Sequence, residues 1–551
     1  MENTNLSKIR RERMLNTINE IKKNILDEET LENLSLIENE LTKKKFGLIW
    51  EEHEERVDKE LKTQIPTFVE IEDKSRKTND EKFNFLLEGD NLHSLYLLEK
   101  THKGKIDIIY IDPPYNTGNK DFIYNDKYVD NEDSYRHSKW LSFMEKRLKI
   151  AHRLLSDSGI IFISIDNYEQ AQLKLLCDEI FGENNFIECA IVKKSVNGKG
   201  DKKGFANNHD YLLCYQKTNA SQFNGLSVTE DYKTKFNKHD EYGNYKMDGI
   251  LMKKGADSRR EDSPTLYYPL YYNPDTGKVS IHKTDETYLE RYPYKSDGTD
   301  GRWTWSKSKV EKESYRLFAS KNATIYVKDY YNDERRMKIK SILEDTKYLN
   351  NIATNETSEV FGKRNVFDTP KPITLIKDII DMAGNKDSVV LDFFAGSGTT
   401  AQAVYELNKQ TNENRTFILC TNNENKICEE VTYKRIIKTT DSNLKYYKCD
   451  YVPRINTDEE NLSKNLMVNI KNLIQLENGI EIDDKIVRVI LTEEEIDKFT
   501  TNDKELDECE KLYISSDILL TSKQSKIFNE YNIELFIIPE YYFEDEIREV
   551  A

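Results

Sequence analysis

The sequence predicts an α/β protein with a mostly parallel sheet and two ligand loops, and three observations carry that prediction. Between about residues 83 and 450, short β-branched runs alternate with helical stretches, the pattern of repeated βα units. One run, IDIIYI at 106–111, ends directly in Asp112-Pro113-Pro114-Tyr115. Another, VVLDFF at 389–394, ends in Ala395-Gly396-Ser397-Gly398-Thr399-Thr400 and opens into the helical stretch AQAVYELNK.

Asp112 stands at the carboxyl end of a buried strand, where open α/β sheets bind their ligands, so its carboxylate faces a site rather than a core. The two prolines fix φ twice and remove two backbone donors, which stiffens the link between acid and aromatic ring. A rigid carboxylate, bare carbonyls and a stacking ring suit a planar ligand with an exocyclic amine, such as a nucleobase. Taken alone, the tetrapeptide also reads as a Pro-Pro turn with an incidental tyrosine. The second loop shifts the balance, because strand, tight glycine loop and helix together cradle a nucleotide-like cofactor.

DPPY upstream of a D-x-F-x-G-x-G loop resembles the amino DNA methyltransferases of the permuted, β-class motif order. FLLEGDNLHSL, IDIIYIDPPYNTGN, FDTPKP and LDFFAGSGTTAQAV are similar to the Mod subunits of type III restriction-modification systems, over roughly residues 83–450. The resemblance implies a Rossmann-like fold that uses S-adenosyl-L-methionine (AdoMet), with an inserted target recognition domain. It also implies catalytic roles for Asp112, Pro113, Pro114 and Tyr115. Asp90, Lys371, Pro372, Asp392, Phe394, Gly396, Ser397, Gly398 and Glu424 are the implied cofactor contacts. Composition and spacing alone give only an α/β protein with two ligand loops.

Bulk composition narrows the class. The 551 residues allow two to four domains, and 37% hydrophobic with 33% charged residues describes a highly charged soluble chain. No apolar run approaches the ~20 residues that span a bilayer. The opening MENTNLSKIRRER lacks an apolar secretory core, so the cytoplasm is the expected compartment. Seven scattered cysteines form no C-x-x-C pair and eight histidines no H-x-x-x-H, so neither a metal site nor a disulfide framework is expected. A net charge of −17 argues against a nucleic-acid partner until its distribution is read. Residues 191–340 carry eight more Lys and Arg than Asp and Glu, the footprint of a local DNA-facing module.

In chain order, residues 1–80 read as two or three amphipathic helices ending near Pro66, either a solvated lead-in or an interaction arm. FNFLL at 83–87 is a strand, and Asp90 after it is either a helix N-cap or part of the cofactor pocket. After Tyr115 a polar, Tyr-rich run to about Asp133 has the length of a lid, in which Phe122, Tyr124 and Tyr128 stack on a base or pack the loop onto its own domain. A helix, a Ser-Asp-Ser-Gly turn at 156–159, a strand at 160–165 and another helix complete the first methyltransferase part, 81–189. The alternation then degrades. Over 190–355, basic stretches such as KKSVNGKGDKKGF, MKKGADSRR and RWTWSKSK read either as a DNA-reading surface or as a charged irregular insertion. By family position this is the target recognition domain. The second methyltransferase part, 356–455, holds FDTPKP, a helix closed by Gly384, the glycine loop, a strand at 416–420 and Glu424. Residues 456–551 carry 24 Asp and Glu against 10 Lys and Arg, with strands KIVRVIL and ELFIIP, and form a separate acidic interaction module.

Gly396-x-Gly398-x-x-Ala401 also satisfies a dinucleotide fingerprint, and electrostatics separates the readings. A fixed negative charge at Asp392 opposes a pyrophosphate but suits AdoMet, which carries an ammonium and a sulfonium and no phosphate. Glu424 can take ribose hydroxyls in either case. An adenine amine is a poor nucleophile, and accepting its N–H bonds on Asp112 and a proline carbonyl draws the nitrogen toward sp3 and aims its lone pair. The base must first leave the duplex and be held by stacking, the role expected of Tyr115. In the family, Asp at the first motif position favours adenine N6 and Ser cytosine N4. The expected protein is therefore a site-specific DNA adenine-N6 methyltransferase acting on double-stranded DNA, a homodimer with a possible restriction (Res) helicase-nuclease partner. The rivals are a DNA-binding specificity subunit with a vestigial methylation site and a cytosine-N4, RNA or protein amino-group methyltransferase. No G-x-x-x-x-G-K-[ST] loop occurs, so cleavage would need another chain.

Overall fold

The β-branched runs become the strands of one ten-stranded sheet in a computed structural model, which describes residues 6–23, 27–42, 50–78, 80, 82–118, 121–124, 127–130, 133–197, 204–228, 230–453 and 469–538. In chain order the strands are β1 (Gln64–Glu70), β2 (Asn84–Glu88), β3 (Ile106–Ile111), β4 (Leu155–Ile165), β5 (Phe186–Lys193), β6 (His209–Gln216), β7 (Ile342–Leu343), β8 (Val389–Asp392), β9 (Thr416–Thr421) and β10 (Leu444–Pro453). Their spatial order is β1-β10-β2-β9-β8-β3-β4-β6-β5-β7. The stretch from β10 to β4 is parallel throughout, whereas β1 and β6 run antiparallel to their neighbours. Parallel strands are covered on both faces, and Ile106, Ile108, Ile109 and Ile111 of β3 are fully buried. Because β8 pairs with β3, Val390 opposite Ile108, two loops almost 300 residues apart in sequence leave the sheet side by side.

Two local expectations change. Pro66 lies inside β1 rather than ending the helical region, and β1 is an edge strand, where a missing N–H costs no ladder bond. The turn expected at 156–159 is absorbed into β4, which shifts register opposite Ile106 and Ile108. Ser156 there donates to Asp107 at 3.3 Å, and a Cβ on Gly159 would lie 2.8 Å from the Ile106 carbonyl oxygen, so glycine permits the close pass.

The chain divides into two compact units, residues 1–224 with 340–551, and residues 225–339. The flanks of the basic segment, including β5, β6 and β7, thus belong to the large sheet's unit. The smaller unit is built of short antiparallel strands, four in one sheet and three in another. Trp303 and Trp305, read from sequence as part of a DNA surface, are buried in its core with Leu251, Tyr268 and Val310. Around them Thr304, Ser306, Lys307, Ser308 and Lys309 stay exposed, Lys309 lying 4.4 Å over the Trp305 ring.

At the C-terminal end, strands Val487–Ile490, Lys511–Ile514 and Glu534–Ile537 form a parallel sheet with a core of its own around Phe499, Leu512 and Phe528. Helix Ile470–Asn478 instead joins the large core through Ile470, Leu473 and Ile474, and Asn472 donates to the Phe68 carbonyl at 2.7 Å. Residues 198–203 of the lysine-rich stretch, the 454–468 connection and residues 539–551 lie outside the described residues.

Candidate active site

Four adjacent parallel strands, β2, β9, β8 and β3, end on the same edge of the sheet, and each is followed by a residue singled out by sequence: Asp90, Glu424, the glycine loop and Asp112. This is where the carboxyl ends of an open α/β sheet bind ligands.

After β3, Asp112 is half-buried and engaged. Lys371 places its ammonium 2.8 and 2.9 Å from the two Asp112 oxygens and 2.7 Å from the Tyr115 hydroxyl, which itself donates to Asp112 Oδ1 at 2.9 Å. Lys371, expected at the cofactor, thus sits on Asp112. The same ammonium lies 4.9 Å over the Tyr115 ring, and Pro372 beside it caps helix Ile373–Ala383. Burial, with the Asp112 charge adding to it, pushes the Tyr115 phenol well above its ordinary range, so it acts as a donor at neutral pH. Trp140 donates its indole N–H to the Pro114 carbonyl at 2.7 Å. That leaves the Pro113 carbonyl without a hydrogen bond among the described residues. The lid aromatics separate: Phe122 is buried against Phe143, Tyr128 is half-exposed, and the Tyr124 side chain lies outside the described residues.

After β8, the acid turns inward. Asp392 is 3% exposed and accepts from the Phe394 N–H at 3.0 Å and the Thr400 hydroxyl at 2.6 Å; burial pushes its carboxyl up to about 7. It staples the loop, so the charge argument made for it passes to Asp90 and Glu424. Gly396 and Gly398 have φ of +48° and +76°, where glycine alone is unstrained. A Cβ on Gly396 would stand 3.0 Å from the Phe367 ring, and one on Gly398 3.2 Å from the Thr432 carbonyl oxygen. Ser397 faces the interior, hydrogen-bonded to Thr399 at 2.9 Å and Arg435 at 3.2 Å. Phe394 packs on Phe143, ring centroids 5.9 Å apart. The loop offers backbone, not side chains.

Asp90 fills the N-cap role weighed for it. Its Oδ1 caps helix Asn91–His102 through the Leu92 N–H at 2.8 Å and accepts from Arg147 at 3.3 Å, while the side chain stays 31% exposed at the site's edge. Glu424 is exposed, with no side-chain hydrogen bond among the described residues, just before two left-handed residues, Asn425 and Lys426, and a π-helical turn, Ile427–Tyr433. A glycine loop partly exposed at Gly396 and flanked by these two carboxylates suits a cationic, hydroxyl-bearing, phosphate-free cofactor, which is the AdoMet pattern. A pyrophosphate would meet both charges.

Sequence reasoning missed several supports. Arg147 is fully buried and bonds Asn91 at 2.6 Å and Glu55 at 2.9 Å, while Asn91 donates to the Phe393 carbonyl at 2.8 Å, tying the β2 and β8 loops together. Nothing in KRLKIAHRLL distinguishes this arginine from a solvated one. Glu169 and His137, described below, were also passed over. A cavity beside Lys371 is lined by Ser164, Asp210, Tyr211, Tyr348 and Asn350, so the flanks of the basic segment help wall the catalytic side. Among the described residues no helix is long and apolar enough to cross a membrane.

The family model for DNA methylases of the N6/N4 type matches residues 106–490. The chain is 44% identical to type II methyltransferase M.KpnI of Klebsiella pneumoniae over 66% of its own length and 87% of that protein's. It is 34% identical to the EcoPI Mod subunit of Escherichia phage P1 (71% of this chain, 66% of the relative) and 30% identical to the EcoP15I Mod subunit of Escherichia coli (71% and 67%). It therefore spans most of M.KpnI but only about two thirds of these Mod subunits' length. The chain belongs to the N6/N4 DNA methylase family, as an AdoMet-dependent DNA methyltransferase of restriction-modification systems, akin to the type III Mod subunits.

Proposed function

We propose that the protein methylates adenine N6 in double-stranded DNA, as the modification subunit of a type III system. The observation that carries this reading is the Asp112, Tyr115 and Lys371 cluster. An ammonium donating to both Asp112 oxygens at 2.8 and 2.9 Å marks a place built to accept N–H bonds from an amine. The target amine takes that place in the reading, one N–H on Asp112 and the other on the unclaimed Pro113 carbonyl, so that its lone pair points across the sheet edge toward the glycine loop. Bound AdoMet supplies an electrophilic methyl group there. Asp90 and Glu424 hold its ammonium and hydroxyls, the backbone around Gly396 and Gly398 lets it approach, and Lys371, leaving Asp112, meets its carboxylate. Pairing a fixed acceptor set with a held donor is orientation and charge placement, the terms that lower such barriers most. The base reaches this pocket by leaving the duplex.

Sequence is read, in this account, between residues 190 and 355, with the unit 225–339 as its body, and the acidic C-terminal module binds protein: a second copy of the chain or a Res subunit. The cytoplasm is the compartment where such a chain meets DNA. A second reading, a type II methyltransferase acting without a Res subunit, is favoured by the near-complete span of M.KpnI. Methylation-aware sequencing of host DNA with and without the gene tests the chemistry: N6-methyladenine at one sequence motif is expected, and N4-methylcytosine or unchanged DNA contradicts it. Capture of a helicase-nuclease chain by the full-length protein separates the two systems.

A further inference from the structure

Directly after Tyr115, the chain turns on a buried residue in an unusual conformation. Asn116 is fully buried with φ +56°, a left-handed geometry that Asn tolerates better than other non-glycine residues. Its side-chain amide donates to the Arg136 carbonyl at 3.2 Å and to Glu169 Oε1 at 2.6 Å. Glu169 comes from the end of the next strand, β4, at the start of helix Gln170–Phe181, and is itself fully buried.

The remaining partners fix the protons. Arg136 donates its Nε–H to His137 Nε2 at 3.2 Å, so the His137 proton sits on Nδ1, which lies 2.7 Å from the same Glu169 oxygen. Burial, with Arg136 next to it, holds His137 below its ordinary range, so the imidazole is neutral at pH 7 and this contact is a hydrogen bond rather than an ion pair. Two N–H donors therefore converge on Oε1, while Glu169 Oε2 and Asn116 Oδ1 are buried without a partner among the described residues. Nothing in the methyl-transfer reading uses this cluster, yet it grips the residue that follows the catalytic tetrapeptide.

We propose that Glu169 is a positioning residue for methyl transfer: by locking Asn116 in its left-handed turn, it sets the Pro113 carbonyl and the Tyr115 and Asp112 pair against the target amine. The inference rests on Asp112 receiving that amine, as argued above. Trp140 clamps the same segment one residue earlier through the Pro114 carbonyl, so the tetrapeptide is held at both of its last peptide units. At neutral pH burial favours the neutral acid at Glu169, whose Oε1 accepts both N–H bonds. Burial pushes its carboxyl up to about 8; Asn116 and Arg136 act against the shift, and Asp166 at the end of β4 adds to it. Asp166 is itself raised to about 6, chiefly by burial, and Gln172 lies 3.5 Å from His137 Nδ1. The folded-state value lies above that of a free carboxyl, so burying Glu169 costs stability as pH rises toward 8, but its hold on Asn116 is not lost: ionised, Oε1 is the stronger acceptor for both N–H donors.

The test is single-turnover methyl transfer and AdoMet affinity for the wild type, Glu169→Gln and Glu169→Ala. Glutamine keeps the acceptor on Oε1, so Glu169→Gln should transfer at close to the wild-type rate. Glu169→Ala should lose roughly ten- to a hundredfold in transfer rate with AdoMet affinity within a few-fold, the cost of a misplaced reacting pair. A Glu169→Gln variant that binds AdoMet like the wild type yet has lost transfer overturns the proposal, and that comparison does not depend on the alanine variant folding. An unaffected Glu169→Ala beside a dead Asp112→Ala overturns the positioning role alone, whereas turnover by Asp112→Ala removes the reading beneath it.

Discussion

The loops after β3 and β8 leave neighbouring strands and each begins at an aspartate, yet they are fixed in opposite ways. After β3, two prolines stiffen the backbone, side chains from elsewhere clamp it, and the carboxylate of Asp112 keeps 23% of its surface open. After β8, the carboxylate is turned inward onto Phe394 and Thr400, and the loop is a backbone with two left-handed glycines, Gly396 partly exposed and Gly398 buried. One loop presents a side chain and the other a main chain. The same residue type at the same kind of strand end is, in the proposed reading, a reagent in one case and a staple in the other, and its hydrogen-bond partners decide which.

The comparison breaks most visibly at the main-chain loop. Gly396→Val and Gly398→Val should abolish AdoMet binding by calorimetry, because valine is strained at the positive φ these positions require and its side chain drives into Phe367 or Thr432. Undiminished AdoMet binding, or binding of a dinucleotide in its place, would show that this backbone is not the cofactor's cradle. Next in size, Lys371→Met should weaken AdoMet about tenfold, the scale of one charge-assisted hydrogen bond. Unchanged affinity would restrict Lys371 to Asp112, where the structure places it.

Much of this was legible in the sequence, and the failures share a cause. Strand positions could be read because a parallel strand buried on both faces is a continuous apolar run, and β3 matches IDIIYI residue for residue. The residues at the strand ends could be read because proline, glycine and aspartate carry backbone meaning. Partners could not. Lys371 on Asp112, Asp392 on Thr400, and Glu169 under Asn116 are contacts across 259, 8 and 53 residues, made by side chains whose local sequence is ordinary. The buried Trp303 and Trp305 show the converse: a basic, aromatic stretch looks like a surface until the rings are found inside.

A smaller effect separates staple from reagent by pH. Asp392 titrates near 7 in the folded chain, above the free-carboxyl value of 3.8, so its burial costs nothing while it stays protonated and costs progressively more as pH rises from about 4 to 7. Thermal melts should therefore fall across that interval more steeply for the wild type than for Asp392→Asn. Parallel curves would mean that Asp392 is ionised and compensated. The smallest effect on catalysis is expected from exchanging residues 225–339 with those of a related enzyme. The methylated sequence should change while the base modified and the AdoMet affinity stay the same. An unaltered methylation motif would move sequence recognition out of that unit.

The central claim is that Asp112 acts on the target amine and not on the cofactor. It is tested most directly by measuring, on one preparation of Asp112→Ala, equilibrium AdoMet binding and tritium transfer from labelled AdoMet to double-stranded DNA. Transfer should be lost while affinity stays within a few-fold of the wild type, whose label should appear in N6-methyladenine. Normal turnover by Asp112→Ala, or loss of AdoMet binding together with transfer, would contradict the account.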